Sequence, residues 1–282
     1  MKTLKDLLGE SILILEQNQI KNARRQAEEV IADALEMKRL DLYLQFDRPL
    51  NEKELEKCEN RIVRRSRGEP VQYIKGSVAF LDCVLCVNSD VLIPRQETEI
   101  LVSKMIAQLE KEERRGKIFW DICSGSGCIG IAIKKKFPEL TVVLSDLSRG
   151  ALKMAEKNAN CNRAAVTCVH GDLLEPFKGK KADYIVCNPP YVSEEDYVVL
   201  EREVKNHEPK MALVAENKGL LFYQRFAQEI SNYLNPQAKV WFEMGDRQGD
   251  ALLELFNSPL WRTARVENDW SQKNRFFFLE ME

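Results

Sequence analysis

The chain of 282 residues carries 42 Lys+Arg against 44 Asp+Glu, a formal net charge of -2, and is 44% hydrophobic and 30% charged. These globular values exclude a disordered or fibrous chain, and the length suggests about two domains able to bury a sizeable core. A balance this close to neutral argues against non-specific binding to a nucleic-acid backbone, which needs a basic field.

Residues 1–70 read as helix. Leu4, Leu7, Leu8, Ile12 and Leu15 recur at helical spacing, as do Ala23, Ala27, Val30, Ile31, Ala34 and Leu35. A third helix follows Pro49, with Asn51 as its cap, Glu54 three residues on, a Leu55–Cys58–Ile62 stripe and Gly68 at its end. This segment holds 14 basic and 14 acidic residues, yet Arg61, Arg64, Arg65 and Arg67 cluster near its end. The cluster reads as a solvated helix end complementing the dipole, or as a docking patch for an acidic partner. From Val71 to Val87 the composition turns β-type, and residues 71–90 are read as a hairpin connector.

The region 91–282 alternates short apolar strands with amphipathic helices. A helix is predicted from about Gln96 to Glu113, a strand over Ile118–Cys123, a helix over Gly127–Phe137 and a strand over Thr141–Ser145. Helix Ser148–Cys161, strand Ala165–His170 and strand Ala182–Cys187 come next. Helix Leu220–Leu234, strand Ala238–Met244, helix Gln248–Leu255 and strands near Arg262–Val266 and Arg275–Glu280 complete the chain. The pattern is that of an α/β fold, a mainly parallel seven-stranded sheet covered by helices on both faces. The last two strands have no room for a crossover helix, so they form an antiparallel edge hairpin.

No apolar run reaches the roughly 20 residues of a membrane-spanning helix. Asp6 and Glu10 interrupt the N-terminus before a secretory core can form, so a cytoplasmic protein is expected. The eight cysteines lack framework spacing and read as small apolar core residues. Cys83 and Cys86 form the one Cys-x-x-Cys. With no second pair or nearby His, and with alternate facing on a strand, they make no zinc site, and no metal is expected.

Asp121-Ile122-Cys123-Ser124-Gly125-Ser126-Gly127 lies where the first strand of the alternating region turns into a helix. Glycines there admit a ligand close to backbone, and the helix N-terminus offers free N–H groups. Asp146, ending the next strand, can accept from two ribose hydroxyls. Gly125 to Gly130 also fits the G-x-G-x-x-G dinucleotide fingerprint. A dinucleotide loop, however, usually runs into its first glycine from an apolar strand, whereas here Asp121 intervenes. The Asp-x-x-x-Gly-x-Gly form instead resembles motif I of class I S-adenosylmethionine (AdoMet) methyltransferases.

The strand Tyr184–Cys187 runs into Asn188-Pro189-Pro190-Tyr191. Two prolines end the strand, stiffen the backbone and remove two N–H donors, leaving carbonyl acceptors beside the Asn188 amide oxygen. Such a cluster suits a substrate NH2 group with two protons to donate, and Tyr191 can pack over a flat group. This tetrapeptide resembles the signature of AdoMet-dependent amino methyltransferases acting on adenine, guanine or glutamine amides. Further segments resemble the glutamine-specific branch, the PrmC/HemK release-factor methyltransferases: Val91 to Glu99, Glu208-Pro209 with Ala212-Leu213, Gly219-Leu220 with Tyr223, and Glu243-Met244-Gly245 with Gln248. The resemblance spans essentially the whole chain. Asp269 to Arg275 departs from it, replacing a more usual glycine-containing turn.

The resemblance implies an AdoMet-dependent protein-(glutamine-N5) methyltransferase acting on the Gly-Gly-Gln glutamine of class I peptide chain release factors. It implies a helical substrate-recognition domain over 1–70 and a methyltransferase domain over 91–282. Cys123, Ser124, Gly125, Ser126 and Gly127 would hold the methionine end of AdoMet, Asp146 its ribose, and Leu173, after Asp172, its adenine. Asn188, Pro189, Pro190 and Tyr191 would hold the glutamine amide, with Asn188 bordering both ligands. Asn188, Pro189 and Tyr191 are thus the catalytic candidates. His170, His207 and Glu208 are expected to be structural. A monomer is expected, with no membrane partner and no stable nucleic-acid partner. The rivals are an amino methyltransferase of adenine or guanine in DNA or rRNA and a non-catalytic AdoMet-binding protein.

Overall fold

A computed structural model describes residues 2–282. They form two compact units, one of residues 2–77 with 201–207, the other of residues 78–200 with 208–282.

The first unit is helical: α1 (Leu4–Gln17), α2 (Ala23–Ala34), α3 (Asp41–Leu44), α4 (Glu52–Ser66) and α5 (Val71–Lys75). The apolar stripes meet in one core of Leu4, Leu7, Leu8, Leu15, Ala27, Val30, Ile31, Cys58, Ile62 and Ile74. Asn51 and Glu54 close a capping box on α4, as their spacing predicts. The β-type reading of Val71–Lys75 is corrected. Pro70 leads into a helical turn that carries Ile74 into the core, and Gly76 ends it at φ 75°. The Arg cluster does lie at the C-terminal end of α4, with Arg64 and Arg67 exposed, but three of its members are paired with acidic residues. Arg61 pairs with Asp33, Arg64 with Glu69, and Arg65, 2% exposed, with Glu203. Arg65 also donates to Gln26 and to the Glu69 carbonyl.

In the second unit, β1 (Ser77–Phe80, whose first residue belongs to the helical unit) and β2 (Cys83–Cys86) form a two-stranded sheet. Two asparagines of α8 (Arg149–Cys161) and its C-cap dock on β2. Asn158 bonds both the N–H and the carbonyl of Cys86, and Asn162 both those of Val84. The remaining elements are α6 (Gln96–Leu109), β3 (Ile118–Ile122), α7 (Cys128–Lys136), β4 (Thr141–Asp146), β5 (Thr167–His170) and β6 (Ala182–Cys187). Then come α9 (Glu194–Val199), α10 (Arg202–His207, of the helical unit), α11 (Leu221–Glu229), β7 (Leu234–Glu243), α12 (Gly249–Leu255), β8 (Trp261–Asn268) and β9 (Asn274–Met281). Sheet order is β5-β4-β3-β6-β7-β9-β8. Strands β3 to β7 run parallel, and β9 lies antiparallel between β7 and β8. The reversed strand is therefore the inner member of the edge hairpin. At its turn Gln272 takes the left-handed φ of 60°, and Asp269 accepts from the N–H groups of Ser271 and Lys273. A side-chain cap thus serves in place of a glycine.

Alternating strand residues feed two cores. Phe119, Leu144, Val186 and Trp241 pack with α6, α7 and α8, while Trp120, Ile185, Phe242 and Phe277 pack with α11 and α12. Predicted helix 220–234 is shorter than expected. It breaks into a 3-10 turn at Ile230–Tyr233, and Leu234 already pairs with Ala182. The strand order reverses between β3 and β6, and that switch point is where an open α/β sheet binds its ligand.

Candidate active site

Register brings the two motifs together, because Ile122 pairs with both Cys187 and Ser145. The glycine loop and the Asn-Pro-Pro-Tyr segment therefore leave adjacent strands at the same sheet end. Between them opens a crevice of about 960 Å³ counting its mouth. Of the predicted cofactor residues, Cys123, Ser124, Gly125, Ser126, Asp146, Leu173 and Asn188 line it, and Pro190 joins them. Gly127, Pro189 and Tyr191 stand outside the lining.

The loop's geometry follows from its sequence. Cys123, Gly125 and Gly127 all have positive φ, at 58°, 54° and 79°. Gly127 caps α7, where a Cβ would fall 2.9 Å from Ile131 Cδ1. The Asp121 carboxylate holds the start of α7 by accepting from Gly130 N–H at 2.8 Å. At Gly130 a Cβ would sit 2.2 Å from Leu144 Cδ2, so any larger residue would force the Leu144 side chain to shift. Burial pushes the Asp121 carboxyl up to about 7.

Asp146 accepts from Gly125 N–H and Ser148 N–H, both at 2.8 Å and on different oxygens, so each oxygen keeps a lone pair. Burial raises its pKa, with the N–H groups opposing. Leu173 is buried at φ 46°, and Asp172 beside it takes a two-pronged bond from Arg225 of α11, at 3.1 and 2.7 Å. Three buried oxygens have no hydrogen-bond partner among the described residues: Asp121 Oδ1, Ser124 Oγ and Ser145 Oγ. Ser124 and Ser145 line the crevice. Buried polar atoms of this kind are ordinarily satisfied, so their position suits a polar ligand.

Beyond the strand end, the tetrapeptide is held by residues far away in sequence. The Tyr191 hydroxyl donates to Glu243 Oε1 at 3.2 Å, and its carbonyl accepts from Gln248 Nε2 at 3.0 Å. Gly219, at φ 82°, lies so close that a Cβ would be 2.0 Å from the Tyr191 oxygen. Glu208 is buried, accepting from Ile93 N–H and from Arg95, which makes it a brace for the Ile93-Pro94-Arg95 wall. His170 is exposed, bonded to the Leu147 carbonyl, and neither histidine lines the crevice. Sequence reasoning gave no role to Thr98, Glu243, Gln248 or Arg225. The first three fall in motif segments, which was the available signal; Arg225 had none.

Residues 6–76 match the family model described as the PrmC N-terminal domain, and residues 96–215 match the methyltransferase small domain. A release factor glutamine methyltransferase of Chlamydia trachomatis is 40% identical over 98% of this chain and 94% of its own length. Those of Geobacter sulfurreducens (36%; 90% of this chain, 88% of its own) and Bacillus cereus (35%; 100% of both) are also similar. Among solved structures, a Pyrococcus furiosus methyltransferase aligns with TM-score 0.52 at 16% identity, covering 79% of this chain and 98% of that one. A 16S rRNA N2 G1207 methyltransferase of T. thermophilus aligns with TM-score 0.53 at 15% identity, covering 73% of this chain and 50% of that one. At such identities these two speak to the fold alone. Near-full-length identity of 40% speaks to more, and the chain belongs to the release factor glutamine methyltransferase family.

Proposed function

We propose that this chain transfers a methyl group from AdoMet to the side-chain amide nitrogen of the Gly-Gly-Gln glutamine in class I release factors. The observation that carries the reading is that Asn188 and Pro190 share one crevice with Asp146 and the glycine loop. The residues present suit AdoMet: a carboxylate with spare lone pairs for a diol, two buried serine hydroxyls lacking partners, and apolar Ile122, Ile129 and Leu173 for a flat ring. When bound, AdoMet supplies a methyl already activated on a sulfonium.

The chain's own part is then orientation. Asn188 Oδ1 and the Pro189 carbonyl accept the two amide protons and turn the nitrogen lone pair toward the methyl. Pro190 has no N–H to compete for those acceptors. Holding nitrogen and methyl at roughly 3–3.5 Å in line lowers much of the barrier. The acceptors also strengthen as positive charge develops on nitrogen; the S–CH3 bonding pair would stay on sulfur, and one of the two amide protons would leave to water so that the product amide is neutral. The Tyr191 ring, expected to pack over the amide, is assigned a supporting part because its hydroxyl is committed to Glu243. Arg61, Arg64 and Arg65 each pair with an acidic residue, which weakens the basic field that a nucleic-acid substrate would favour.

Radiolabelled AdoMet offered with release factor, DNA or rRNA in separate reactions tests the reading. Label should enter the release factor at the Gly-Gly-Gln glutamine. Label in nucleic acid alone would establish the base-methylating alternative. Label in none would favour a binding protein.

A further inference from the structure

Glu243 ends β7 as a buried carboxylate, 1% exposed, behind the Asn188–Tyr191 segment. Its two oxygens receive two hydroxyls: Tyr191 on Oε1 at 3.2 Å and Thr98 on Oε2 at 2.7 Å. Thr98 is itself buried in the first turn of α6 and lines the crevice. Its only proton is committed to Glu243. The backbone around the carboxylate is fixed as well, with the Glu243 carbonyl accepting from Tyr223 at 2.7 Å and the Met244 carbonyl from Arg275 at 3.2 Å. A carboxylate is acceptor-only, so it can take both hydroxyls at once, which a glutamine cannot do with both its ends. Burying a carboxylate is costly unless it is hydrogen-bonded or paired, and the two hydroxyls supply those bonds here.

We propose that Glu243 is a positioning residue for methyl transfer: anchored by Thr98, it fixes the Tyr191 hydroxyl and thereby the aim of the Asn188 and Pro189 acceptors. Tyr191 is gripped twice, at its hydroxyl by Glu243 and at its carbonyl by Gln248. With both ends held, the Pro190–Tyr191 unit cannot rotate, and the acceptors preceding it keep their direction without contact from Glu243 itself. The inference rests on the functional reading above, since it concerns the acceptors that reading assigns to the amide.

The test is a double-mutant cycle with Glu243→Gln, Tyr191→Phe and both together in the full chain. Three quantities are measured: kcat on release factor, AdoMet affinity by calorimetry, and affinity of release factor for the protein loaded with demethylated cofactor. Each single variant should lose about ten- to hundred-fold in kcat, the loss of one hydrogen bond to a charged group. The double variant should lose no more than the worse single, because both cut the same link. Affinity for release factor should fall non-additively in the same way, while AdoMet affinity stays within about twofold. Multiplying losses, or Glu243→Gln turnover within about twofold of wild type, would overturn the proposal. If Glu243→Gln does not fold, Thr98→Val with Tyr191→Phe reads the same coupling through the other hydroxyl. A wild-type protein that leaves release factor unmethylated would bring down the functional reading and this inference with it. Wild-type methylation with additive losses would bring down this inference alone.

Discussion

Replacing Gly219 with alanine puts the geometry of the tetrapeptide under direct strain. Its φ of 82° lies in the left-handed region, and the new Cβ would stand 2.0 Å from the Tyr191 oxygen and 2.8 Å from its carbonyl carbon. Ordinary contact begins at 3.4 Å, so the carbonyl must retreat by about 1.4 Å. Gln248, bonded to that oxygen at 3.0 Å, would lose it. A misplacement on the order of 1 Å near the chemistry costs about 10²-fold in turnover. The left-handed backbone adds roughly 1–2 kcal/mol of destabilisation, a few degrees in midpoint temperature for a domain of this size. Gly219 does not line the crevice, so AdoMet affinity should hold. The assay pairs steady-state methylation of release factor with calorimetric AdoMet titration and a thermal melt. Turnover within about threefold of wild type in a folded variant would refute the claim that this close approach fixes the acceptors.

Three further outcomes are expected. Asn188→Ala should lower kcat by roughly 10²–10³, as for one lost transition-state hydrogen bond, with a smaller effect on AdoMet binding; single-turnover kinetics would expose near-normal transfer if the assignment fails. Asp146→Ala strips the acceptor from Gly125 N–H and Ser148 N–H as well as from the ribose, so AdoMet affinity should drop by about tenfold or more, and an unchanged titration would contradict it. Asp121 concerns pH. Its carboxyl ionises near 7 when folded, against an ordinary value of 3.8, so between those values the folded chain binds the extra proton and stability falls as pH rises. Asp121→Asn removes that dependence. Its stability relative to wild type should climb by roughly 4 kcal/mol in all across this window and level off above pH 7. Urea melts giving a pH-independent difference would mean Asp121 is not held in a desolvated site.

The elements legible in the chain were those with a local cause. Strand Ala182–Cys187 was read to the residue because all six side chains are buried and two prolines follow. The α4 cap was read because Asn51 and Glu54 satisfy each other across three residues. The glycine loop and Asp146 were placed for the same kind of reason, since positive φ and a strand-end carboxylate are properties of short segments. Val71–Lys75 went astray because β-branched and aromatic residues report burial as readily as strand, and only packing of Ile74 against the helical core settled it. The stretch from Val192 to Gly219 carries no predicted element. Its bridge joins Val192 to Val214 across 22 residues, a pairing that no local spacing announces.

Amino-acid order alone thus determined the αβ alternation, the ligand loop and the proline-stiffened acceptors, because each is encoded by residues within a few positions of one another. Tertiary structure decided what surrounds them. Glu243 meets Thr98 across 145 residues and Tyr191 across 52, and Gly219 meets a carbonyl that no spacing rule connects to it. Such contacts exist only once the sheet has set strand order and register, which is why Thr98, Gly219, Glu243 and Gln248 stand in motif segments of the sequence while their hold on the tetrapeptide does not show there.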